Sequence, residues 1–234
     1  MPFLRNLPRC AAKAQEYFAC FDESQKLRET PGYGDLYAEQ HMFRHAVIDW
    51  GFCFSEPKMI QGLAHFLLRS RQSCWYFLLA LFSTARENIP HEDRNTFLRS
   101  ASVETETRIN VGKNKSMRTD LCIRWYSANG CLNLAVVEFK FEHPITKGQL
   151  RNYRHYAEKQ ANATGGHYYL FLVFQKLDKK SLRLVKNHYN KIWDPIQWIP
   201  LLKCWECYLT ADTEMNAKDF AQFRHTLWQR ALNH

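Results

Sequence analysis

The sequence predicts an α/β domain: a mixed central sheet of four or five strands with helices on both faces, and a helical N-terminal portion beside it. Apolar residues recur every three or four positions through the first hundred residues, then the period drops to two for three successive segments. A strand-like, a helical and a second strand-like run follow, the crossover that a parallel strand pair requires.

Taken in order, "LRNLPRCAAKAQEYFACF", "DLYAEQHMFRHAVIDWGF" and "KMIQGLAHFLLRSRQSCWYFLLALFSTARENI" have helical spacing, punctuated by Pro31-Gly32, Ser55-Glu56-Pro57 and Pro90. From Ser102, "SVETETRINV", "RTDLCIRWY" and "CLNLAVVEFKF" read as three strands, the last two joined by the turn Ser127-Ala-Asn-Gly130. "ITKGQLRNYRHYAEKQ" then predicts a helix from near Thr146, with Leu150, Tyr153 and Ala157 on one face. After Gly165-Gly166, "HYYLFLVFQK" is nearly all apolar, as suits a strand covered on both sides. A helix near Lys179 to Tyr189, a short strand near Pro195 to Ile199 or Cys204 to Leu209, and a closing helix from about Ala217 to Leu232 complete the reading. We expect one domain over 1–234: a helical part over 1–100, a core over 101–210 and a C-terminal helix over 211–234.

The formal net charge of +9, spread along the chain, favours an anionic partner such as nucleic acid. The most apolar window, "CWYFLLALF", is too short to span a bilayer and the N-terminus lacks the apolar run of a signal peptide, so we expect a soluble, cytoplasmic chain without a membrane partner. In that setting the eight cysteines read as reduced core thiols, and the lone Cys204-Trp-Glu-Cys207 reads as a short strand rather than a metal or redox centre. His41 and His45, four apart, lack the H-E-x-x-H pattern. The tryptophans at 193, 198, 205 and 228 read as core aromatics. No phosphate-binding or dinucleotide glycine motif is present, so an ATPase or helicase partner would be a separate chain.

The chemistry is carried by three residues. Asp120 opens the second strand; Glu138 and Lys140 share one face near the end of the third, behind the apolar lead Leu134 to Val137. A hairpin between these strands brings Asp120 toward Glu138, and two carboxylates at short range repel unless a cation lies between them. Oxygen donors without Cys or His point to Mg²⁺, with Mn²⁺ able to substitute. The bland alternative is a solvated hairpin face with a surface ion pair. Basic residues on the following helix, Lys147, Arg151 and Arg154, could track a phosphate backbone, or could form an ordinary solvated face.

This D-x17-E-x-K arrangement, followed by "QLRNY" over Gln149 to Tyr153, resembles the PD-(D/E)xK nuclease superfamily, although "RTD" lacks the usual proline. The resemblance implies a restriction-endonuclease-like core and Mg²⁺-dependent hydrolysis of phosphodiester bonds in DNA, in defence against foreign DNA, restriction or repair. It implies Asp120 and Glu138 as metal ligands, Lys140 positioning and activating water, and Gln149 contacting the phosphate or its water shell. A further carboxylate from an early helix or strand is expected, with Glu39 and Glu106 as alternatives. Arg118, Lys147, Arg151, Tyr153 and Arg154 would contact the nucleic acid, and cutting both strands with one site per chain would take a homodimer. The rival readings are a binding module of this fold without catalysis and a basic adaptor protein.

Overall fold

The computed structural model describes residues 56–85, 94–110, 116–141, 144–146, 148–176, 179–185, 192–210 and 218–232. Glu39, His41, His45, Glu142, His143 and Lys147 lie outside the described residues. The chain is α/β, with a five-stranded mixed sheet and flanking helices. It divides into two compact units, one spanning Phe54–Tyr208 and the other taking Leu209–His234 at the C-terminal end.

The larger unit opens with α1 (Glu56–Arg69) and α2 (Arg71–Ala85). The sequence reads here as one helical run, but Ser70 divides it. Its carbonyl accepts the first bond of α2 from the Cys74 amide at 3.0 Å, and its hydroxyl accepts the Ser73 amide at 3.1 Å, which makes it an N-cap. After α3 (Arg94–Ser100) come β1 (Ser102–Asn110), β2 (Ser116–Tyr126) and β3 (Leu132–Lys140), the three expected strands, paired antiparallel in sequence order. Gly130, at φ 75°, supplies the left-handed residue of the β2–β3 turn, and its amide donates to the Ser127 carbonyl at 2.9 Å.

The helix expected from near Thr146 begins three residues later as α4 (Gln149–Asn162) and crosses to β4 (Tyr168–Phe174), which runs parallel to β3. The short α5 (Lys179–Leu184) leads to β5 (Asp194–Gln197), parallel to β4, and α6 (Trp198–Thr210) follows directly. Strand order in the sheet is β1-β2-β3-β4-β5, so the motif strands β2 and β3 are interior. The C-x-x-C segment is not a strand, as the sequence reading has it, but lies within α6, whose apolar residues Leu201, Leu202, Trp205 and Leu209 recur at helical spacing and are buried.

Alternation sorts the sheet's side chains between two cores. On one face Trp125, Tyr169 and Phe171 meet aromatics of α2 and α3, while Phe139 and Phe141 stack on Trp198 of α6 at 5.0 and 4.8 Å. On the other face Cys122, Leu134, Val136, Leu170 and Leu172 are covered by Leu150, Tyr153 and Ala157 of α4. These are the three α4 positions the sequence offers as its apolar face. β3 is consequently buried at every residue. In the second unit, α7 (Lys218–Leu232) buries Phe220, Phe223, Leu227 and Trp228, and the guanidinium of Arg224 lies 4.4 Å from the centre of the Phe220 ring.

The approach of α4's exit to β3 leaves no room at Gly166, where a Cβ would meet the Leu132 carbonyl oxygen at 1.9 Å and its carbon at 2.6 Å. Gly166→Ala should therefore cost about 3 kcal/mol or more through forced separation of backbone atoms. A thermal or urea melt with unchanged midpoint would contradict this close approach.

Candidate functional site

The site forms where β2 and β3 part. Their ladder ends at Leu121↔Val137, and beyond it β3 has amides on the β2 side without strand partners from β2. Two carboxylates take them up: Asp120 Oδ2 accepts from the Phe139 amide at 2.8 Å, and Glu56 Oε2 accepts from the Phe141 amide at 2.9 Å. The register places Asp120 opposite Glu138, as a β2–β3 hairpin requires.

Glu138 is wholly buried and Lys140 is 7% exposed. The pair is therefore no solvated surface bridge. The Lys140 ammonium lies 2.5 Å from Glu138 Oε1 and 3.9 Å from Glu56 Oε1. The same Glu138 oxygen accepts from Gln149 Nε2 at 2.5 Å, while the other, Oε2, is buried without a hydrogen-bond partner. Such a carboxylate oxygen is costly unless a cation or proton meets it.

The protonation of the cluster follows from this geometry. Burial first, then the charge of Asp120, pushes the Glu138 carboxyl well above its ordinary range, against the opposing pull of Lys140. Asp120 is also raised, mainly by burial, against the pull of Lys140 and the Phe139 amide. Burial alone would lower Lys140, but Glu138, Asp120 and Glu56 more than offset it and hold the ammonium above the usual lysine range. Lys140 is thus a standing cation here and not a ready base.

α4 holds the two strands in this arrangement. Gln149 Oε1 accepts from the Thr146 amide at 3.3 Å and hydroxyl at 2.9 Å, which turns its amino group toward Glu138 and the Tyr153 hydroxyl. Tyr153 in turn donates to the Arg118 carbonyl on β2. One hydrogen-bonded chain therefore runs from β2 through α4 to Glu138.

Two roles expected from the sequence change as a result. Tyr153 is 2% exposed with its hydroxyl engaged inside, so it does not face a nucleic-acid backbone. Gln149 is 9% exposed and spends its amide on Thr146, Glu138 and Tyr153, so it positions the carboxylate instead of reaching for phosphate. Arg151 is exposed and Arg154 half-buried on the same helix. Arg118 is exposed and pairs at 3.1 Å with Glu106, which the β1–β2 register places opposite Asp120. The left-handed φ of 50° at Glu106 accompanies a gap in that ladder between Thr105 and Thr107. A cavity of about 80 Å³ opens beside Asp120, with Gln61 of α1, Glu106 and Arg118 among its lining residues.

Among the described residues, the carboxylate that joins the motif residues is Glu56, in the first turn of α1, which the sequence reading did not single out; Glu106 pairs with Arg118 instead, and Glu39 lies outside the described residues. The only signal for Glu56 is its place in Ser55-Glu56-Pro57, a helix start before an amphipathic run. Among the described residues no three His, Cys, Asp or Glu side chains converge as a ready-made metal cage, and no helix is long and apolar enough to cross a membrane. No protein-family model, curated protein or solved structure matches the chain.

A carboxyl whose folded pKa exceeds its unfolded value binds more protons in the native state over that interval, so stability falls as pH rises through it. Without divalent ions, the unfolding free energy should therefore fall as pH rises from about 4, by up to about 1.4 kcal/mol per pH unit for each titrating group. Glu138→Gln should flatten this slope. Parallel slopes for parent and variant in urea melts across the range would place the pH dependence elsewhere.

Proposed function

We propose that this chain is a metal-dependent nuclease of the PD-(D/E)xK type, with a restriction-endonuclease-like core, that hydrolyses phosphodiester bonds in DNA. The observation that carries the reading is the pair Asp120 and Glu138, opposed across two interior strands, with Glu138 buried beside Lys140 and one of its oxygens unpartnered. The order β-β-β-α-β, with these residues on its second and third strands, supports the same core.

Asp120 and Glu138 fit Mg²⁺, or Mn²⁺ in its place, by their chemistry: a site with two carboxylates suits an ion that keeps several waters and binds substrate phosphate. When bound, the ion supplies Lewis-acid polarisation of the phosphate and a more acidic water. The chain's own residues supply the rest. Lys140 presents an ammonium that offsets charge building on the phosphoryl oxygens, and Glu56 and Glu138 keep that ammonium charged. Gln149 fixes the plane of the Glu138 carboxylate, leaving its second oxygen for the cation. The cavity beside Asp120 gives substrate an approach from the β1 side, where Arg118 is exposed.

Cleavage of plasmid, linear duplex or single-stranded DNA should appear with Mg²⁺ and vanish with a chelator. Lys140→Ala should reduce the rate by about 10² to 10³ or more, the range for removing one preorganised charge-stabilising group. Purified Lys140→Ala that cuts as fast as the parent would refute the assignment.

The titration of the same pair gives a second check. Because the cation competes with protons for Asp120 and Glu138, the rise in melting temperature on adding Mn²⁺ should be larger at pH 8 than at pH 6 and absent from Glu138→Gln. A rise independent of pH, or retained by the variant, would point to binding at another place.

A further inference from the structure

At the end of the sheet where β3 delivers Lys140, β4 ends alongside it, and the Gln175 amide donates to the Lys140 carbonyl at 3.0 Å. The chain beyond β4, "QKLDKKSLRLVK" over 175–186, carries five basic residues and one acid. Its helix α5 is fastened to the segment that precedes α4: the buried Ser181 hydroxyl accepts from the Ile145 amide at 3.2 Å, and Val185 enters the same core as Leu150 and Tyr153. With Ser181 and Val185 turned inward at i and i+4, Lys179, Lys180 and Arg183 are left exposed, as is Lys176 before them. Among the described residues none of these four has an ion-pair partner.

A row of exposed cations on and just before a helix anchored next to the start of α4, with no ion-pair partner among the described residues, suits a repeating anion better than a single one. We propose that Lys176, Lys179, Lys180 and Arg183 form a phosphate-tracking shelf that holds the backbone of a nucleic acid on the α5 side of the Glu138–Lys140 site. The choice of nucleic acid over an anionic membrane surface rests on the proposed nuclease reading, because the shelf adjoins that site through the Gln175–Lys140 hydrogen bond. The shelf would place substrate without reading base sequence, since lysines meeting phosphates fix position and register only.

The test uses the full chain and a fluorescent 30-base-pair duplex, with binding followed by anisotropy in a chelating buffer over a range of salt. K179Q/K180Q/R183Q should bind about tenfold more weakly or worse, and its slope of log affinity against log salt should be shallower by about 2 to 3, at roughly 0.9 for each phosphate that is no longer neutralised. An unchanged affinity and slope in the triple variant overturns the shelf, as does a parent that binds anionic phospholipid vesicles but not the duplex. If the triple variant loses binding while the parent never cleaves with Mg²⁺, the shelf stands and the nuclease reading falls. If the parent cleaves and the triple variant binds and cleaves as well as it does, the nuclease reading stands and the shelf falls.

Discussion

The structure around the site depends on keeping a carboxylate charge-balanced where water does not reach. Glu138 has no exposed surface, and an isolated ionised carboxylate in such a place would be neutralised by proton uptake. Lys140 and Gln149 meet one of its oxygens, and Asp120 raises the cost of ionising it further. The neighbouring elements can be understood through this need. α4 enters the sheet at Gln149, α1 begins at Glu56, and the β2–β3 ladder stops where Asp120's side chain replaces main-chain pairing.

Strand separation and acid placement are linked. A strand that parts from its neighbour exposes amides, and buried amides must be paired. Asp120 and Glu56 accept those of Phe139 and Phe141, so each carboxylate both caps the strand and contributes to the field at Lys140. On the opposite face Trp198 stacks against Phe139 and Phe141, which fixes the strand end by packing while the acids fix it by hydrogen bonds. The arrangement is preorganised by groups that belong to four separate elements.

Much of the fold is legible in the chain because its periodicities are local. The alternation of "SVETETRINV" and "RTDLCIRWY", and the apolar face of Leu150, Tyr153 and Ala157, report directly which side of each element is covered. The division of the long helical run at Ser70 has a local signal too, a serine able to cap, but an uninterrupted apolar period masks it. The C-x-x-C segment misleads because a short apolar run fits a strand or a buried helix equally well, and only its neighbours in space decide.

The sequence by itself determined the opposition of Asp120 to Glu138, since a turn at Ser127 to Gly130 and a period of two fix cross-strand neighbours arithmetically. It also determined that Lys140 shares the face of Glu138. The tertiary structure alone brought Glu56 to Lys140, turned Tyr153 and Gln149 inward, and fastened α5 through Ser181 to Ile145 ahead of α4. Glu56 lies 82 residues before Glu138 along the chain. No pattern within an element encodes such a contact; it arises when packed faces bring distant helix starts and strand ends together.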